Sequence, residues 1–73
     1  MNEKNVLKAI IKYEKNFDLN KIEEALLKLD EVREVKVKKR RILITVLDKE
    51  KIDLQKVANE LSKIGVKAVK INN

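Results

Sequence analysis

Apolar and polar residues alternate in four stretches of the chain: Val6 to Tyr13, Glu34 to Lys39, Arg41 to Leu47 and Lys67 to Ile71. A period of two sends successive side chains to opposite faces of a strand, so each stretch predicts a β-strand with one apolar face. Between them the period changes. Leu19, Ile22, Leu26 and Leu29 recur at spacings of three and four, and so do Leu54, Val57, Leu61 and Ile64. Each set forms one apolar stripe on a helix. Asp18 and Asp53 stand just before the two stripes, where a carboxylate accepts hydrogen bonds from the unpaired N–H groups of a first turn. Gly65, the only glycine, follows the second stripe, where a helix end takes a left-handed residue.

The two halves of the pattern repeat each other. Asp18-Leu19-Asn20-Lys21-Ile22 matches Asp53-Leu54-Gln55-Lys56-Val57, 35 positions later. Leu26, Lys28 and Leu29 match Leu61, Lys63 and Ile64, and Leu7, Ala9 and Ile11 match Ile42, Ile44 and Val46. After one deletion, Val32-Arg33-Glu34-Val35-Lys36-Val37 matches Val66-Lys67-Ala68-Val69-Lys70-Ile71. Each half reads strand, helix, strand, with repeats at 5–39 and 40–73 of one domain spanning 1–73. Two such halves interleave into a ferredoxin-like βαββαβ sandwich of the α+β class. The expected sheet has strand order 4-1-3-2 with both helices on one face. The first strands of the halves are expected side by side and parallel at the centre. The helix-facing set is then Leu7, Ala9, Ile11, Val35, Val37, Ile42, Ile44, Val46, Val69 and Ile71. Alignment with Val35 and Val37 puts Val69 and Ile71 inward and Ala68 outward.

Length and composition narrow the function. A chain of 73 residues buries only about 60% of its unfolded surface, so nearly every patterned apolar residue is needed for the core. Deep pockets are not expected. Charged residues make up 41% of the chain, mostly Lys and Glu. That balance is typical of thermostable proteins, and equally of a designed or reconstructed fold without a biological partner. The net charge of +6 favours an acidic partner such as nucleic acid, although it also serves solubility alone. No apolar run approaches the roughly 20 residues that cross a bilayer. Met1-Asn2-Glu3-Lys4-Asn5 does not read as a signal peptide, so a cytoplasmic protein without membrane contact is expected.

The chain contains no Cys and no His, which removes thiolate chemistry and the commonest acid–base group and metal ligand. Ser62, Thr45 and Tyr13 remain as nucleophile candidates. Ser62 sits on a helix with no base at a useful spacing. Glu23 and Glu24 are adjacent, so they point about 100° apart and do not form a catalytic pair. The loop from Asp48 to Asp53 lacks the spacing and the glycine of a Ca²⁺ loop. One glycine rules out a glycine-rich phosphate loop. No enzymatic activity and no cofactor are expected.

Ile22-Glu23-Glu24-Ala25-Leu26 resembles the second half of the signature Cys-x-x-Cys-x-x-x-Ile-Glu-x-Ala-Leu of heavy-metal-associated domains. Val32-Arg33-Glu34-Val35-Lys36-Val37 is similar to that family's Val-x-x-Val-x-Val, and Gly65-Val66-Lys67-Ala68 to its Gly-Tyr-x-Ala. The resemblance spans the whole chain and implies the same ferredoxin-like scaffold. The two metal-binding cysteines would fall at Lys15 and Asp18. A lysine and a carboxylate do not replace two soft thiolates, so no Cu(I) or Zn²⁺ site is expected.

The strand faces turned away from the helices should display Lys8, Ile10 and Lys12, then Arg41, Leu43, Thr45 and Leu47, with Lys36, Lys38, Ala68 and Lys70 at the edges. Ile10, Leu43, Thr45 and Leu47 are the candidate contact surface for a protein partner or a second copy of the chain, since apolar groups clustered on an open face mark contact surfaces. Lys36, Lys38, Lys39, Arg40 and Arg41 are the candidate phosphate contacts of the alternative, a nucleic-acid-binding module. The strand from Arg41 to Leu47 carries no aromatic residue, so base stacking of the RNA-recognition type is not expected there.

Overall fold

The computed structural model describes residues 5–72, so the amino-terminal stretch read as lacking a signal peptide lies largely outside the described residues. The element order is β1 (Val6–Lys12), α1 (Asn20–Leu27), β2 (Val32–Lys38), β3 (Arg41–Val46), α2 (Leu54–Lys63) and β4 (Lys67–Asn72). The four strands form one sheet in the order β2-β3-β1-β4, which is 4-1-3-2 counted from the other edge. The architecture is α+β, as the two periodicities require.

Every neighbouring pair of strands is antiparallel. β1 and β3 do lie side by side at the centre, but antiparallel, against the parallel pairing expected from the repeat. Connectivity gives the reason. The α1 crossover returns the chain so that β2 runs in the direction of β1, and the two-residue hairpin then reverses it into β3.

The inward faces of the strands carry Leu7, Ala9, Ile11, Val32, Val35, Ile42, Ile44 and Val46, all buried. Ile22 and Leu26 of α1 and Val57 and Leu61 of α2 join them in a single cluster. Leu19, Leu29, Leu54 and Ile64 pack against its rim, so both predicted helix stripes face the core along their full length. No polar or charged side chain is buried among the described residues.

Two β-bulges alter the predicted phase. In β2 the register passes from Val32↔Val46 to Glu34↔Thr45, so Arg33 is the extra residue and the strand starts at Val32 instead of Glu34. In β4 it passes from Ile10↔Lys70 to Ile11↔Ala68, so Val69 is the extra residue. An extra residue flips the side chains beyond it. Ala68 therefore packs against the core with Val37 and Ile71, whereas Val69 is 50% exposed. The predicted inward Val69 and outward Ala68 are both reversed.

The helix ends follow their local chemistry. The Asp53 carboxylate accepts a hydrogen bond from the Gln55 N–H at 3.0 Å, and the Asp18 carboxylate accepts one from Asn20 at the same distance. α2 closes at Gly65, whose φ is +88°. The Gly65 N–H donates to the Ser62 carbonyl and the Val66 N–H to the Leu61 carbonyl. This pair of reversed bonds is the Schellman motif, sealed by the buried Leu61 and Val66 side chains. A Cβ added at Gly65 would meet nothing within 4 Å, so Gly65→Ala carries only the backbone cost of a left-handed L-residue. Urea denaturation should show a loss of about 1–2 kcal/mol.

Candidate functional site

The sheet face away from the core is an ordered grid of side chains. Strand register sets Lys36, Leu43, Lys8 and Asn72 across one row. The next row holds Lys38, Arg41, Ile10 and Lys70, and Lys12 faces Lys67 beyond it. The opposite end of the face carries Glu34, Thr45 and Val6. Ile10 and Leu43 are diagonal neighbours, within side-chain reach of each other. They are 42% and 40% exposed and line a shallow depression of about 580 Å³ rimmed by Lys8, Lys36, Lys38 and Arg41.

The sheet does not gather the whole candidate contact set. Leu47 lies beyond the end of β3, tied by its N–H to the Glu31 carbonyl at 2.9 Å. Four residues of extended chain, about 13 Å, separate it from Leu43. Thr45 is partly buried between Val6 and Glu34. Val69 is an exposed apolar residue on β4 that alignment with Val35 assigns to the core. Its only signal would have been the bulge, which no residue type announces.

The candidate phosphate contacts do converge. Lys36, Lys38 and Arg41 stand on the open face, and Lys39 and Arg40 form the loop between β2 and β3; all five are exposed. The Ile11 N–H donates to the Arg40 carbonyl at 2.9 Å, which fixes this corner to the central strand. Lys39 takes a left-handed φ of 50°, a conformation that costs an L-residue about 1 kcal/mol or more. A two-residue hairpin requires a positive φ at its first loop position, where Gly or Asn fits more easily than Lys. Lys39→Gly should raise stability by about 0.5–1 kcal/mol in a chemical melt while removing one cation from the corner.

Charge is segregated. Lys8, Lys12, Lys36, Lys38, Lys39, Arg40, Arg41, Lys67 and Lys70 occupy the open face and its hairpin, half of the chain's 18 cations. Among the described residues, Glu34 is the only carboxylate that shares that face, at the far end. Lys38 stands directly opposite Arg41, and Lys12 opposite Lys67. Among the described residues the only ion pair is Lys63–Glu60 at 3.0 Å, on α2.

The remaining candidates stay apart. Ser62, Glu23 and Glu24 are exposed on the helices. Lys15 is exposed in the loop after β1, and the Asp18 carboxylate is engaged in its hydrogen bond to Asn20. Among the described residues no three Asp or Glu side chains gather as a metal site would require. Comparison of the chain with protein families, with curated proteins and with solved structures finds no match.

Proposed function

We propose that the chain is a ferredoxin-like, non-catalytic binding module whose open sheet face takes the phosphate backbone of a nucleic acid. The observation that carries this reading is the row-by-row concentration of cations on one face, where Glu34 at the far end is the only carboxylate among the described residues. Like charges directly opposite across strands destabilise a sheet, and Lys38–Arg41 and Lys12–Lys67 are two such pairs. A polyanion laid on the face relieves that repulsion and gains entropy from released counterions. A second copy of the chain, docked face to face, would double it. The resemblance to heavy-metal-associated domains supports the scaffold in this reading and does not extend to metal transfer.

The exposed Ile10 and Leu43 favour a second reading, an acidic protein partner with an apolar contact of its own. Titration of labelled oligonucleotides at about 50 and 200 mM salt separates the two. A backbone binder with six phosphate contacts loses about a thousandfold in affinity between those conditions. Absence of oligonucleotide binding at the lower salt would leave the protein-partner reading standing alone.

A further inference from the structure

We infer that Tyr13 is a base-stacking platform beside the basic hairpin, so that the module prefers single-stranded nucleic acid. This rests on the nucleic-acid reading above and deepens it. The chain has one Tyr, one Phe and no Trp, and both aromatics stand together in the loop after β1. Their ring centroids are 5.8 Å apart and tilted by 41°. Both pack against the rim of the core, which anchors the pair. Tyr13 remains partly exposed and lines a depression whose other walls are Lys38, Lys39, Arg40 and Arg41. The antiparallel β1–β3 pairing creates this juxtaposition, because it brings the end of β1 to the start of β3.

A nucleotide presents an anionic phosphate and a flat apolar base, and this corner offers a partner for each. Cations alone would serve a duplex as well as a single strand. An aromatic ring rewards only an unpaired base, because the bases of a duplex are already stacked on one another. The ring and the four cations line one depression, so one strand can engage both.

With no Trp and a single Tyr, the fluorescence of the protein reports on Tyr13. Absorbance-corrected titrations at low salt should show that a thymidine oligonucleotide quenches this emission, whereas inorganic polyphosphate, an anion without bases, binds and quenches much less. Tyr13→Leu keeps apolar volume against Phe17 and removes the ring. It should weaken single-strand binding by about tenfold or more and leave duplex binding within about twofold, as expected for phosphate contacts alone. Equal quenching by both ligands, or an equal loss for single strand and duplex, overturns the stacking role and leaves backbone binding intact. Failure of the parent protein to bind any of the three ligands overturns both. If Tyr13→Leu does not fold, Tyr13→Trp carries the test: its larger ring should tighten single-strand binding, and unchanged or weaker binding overturns the inference.

Discussion

Replacing Lys36, Lys38 and Arg41 together by Gln is expected to abolish most oligonucleotide affinity at moderate salt. Each phosphate contact removed lowers the slope of log K against log salt by about 0.7 for a single strand, so the triple variant should lose about 2 units of slope. Affinity at low salt should fall at least about tenfold. The control is Lys21, Lys28 and Lys56 changed to Gln on the helix side, which alters net charge equally. If net charge alone drives association, both triples weaken it alike. If the face is the site, only the first does. The first triple should also leave the fold as stable as before or more so, because it removes the Lys38–Arg41 repulsion. Equilibrium binding by anisotropy, with a denaturant melt of each variant, reads both effects.

The largest stability effect is expected at Ile44. It is fully buried, and its neighbours across the sheet are Leu7 on β1 and Val35 on β2, both facing the same core. Ile44→Ala should cost about 2–5 kcal/mol. A domain of this length has roughly 4–11 kcal/mol in all, so the variant loses a large share of it. Calorimetry should show a fall in Tm of about 10–35 °C. Leu43, the adjacent residue on the same strand, points to the open face, and Leu43→Ala should cost less than about 1 kcal/mol. Similar losses at the two positions would mean that the open face is covered in solution.

Alternation and helical spacing were sufficient to predict six elements, their order and most of the core, because each signal is local. Asp53 and Gly65 were readable for the same reason: a cap and a left-handed helix end depend on a few neighbouring backbone groups. What escaped prediction depends on distant partners. The repeat aligns Arg33 with Lys67, yet the extra residue is Arg33 in β2 and Val69 in β4, two aligned positions later. Val32 and Val37 and their counterparts Val66 and Ile71 therefore all turn toward the core or its rim, while Ala68 and Val69 exchange roles between them. The parallel centre failed because likeness of two halves says nothing of direction, which the crossover and the hairpin determine. Leu47 shares the parity of Leu43 but falls past the strand end. The cationic candidates are legible as a run at the hairpin, and Lys70 by alternation, whereas the contribution of Lys67 to the same face requires the register of β4. Tyr13 is not legible as a binding residue when stacking aromatics are sought on the strand from Arg41 to Leu47, because it reaches the hairpin only through antiparallel pairing of β1 with β3.

If the cationic face of the sheet is the binding surface, amide chemical-shift mapping will locate bound nucleic acid there. A ¹⁵N-labelled sample titrated with a short thymidine oligonucleotide at low salt should shift the amides of Lys8 to Tyr13, Lys36 to Arg41 and Lys67 to Lys70. The amides of α1 and α2 should stay in place. Shifts concentrated on the two helices, or none at oligonucleotide concentrations that saturate an anisotropy signal, would contradict that placement.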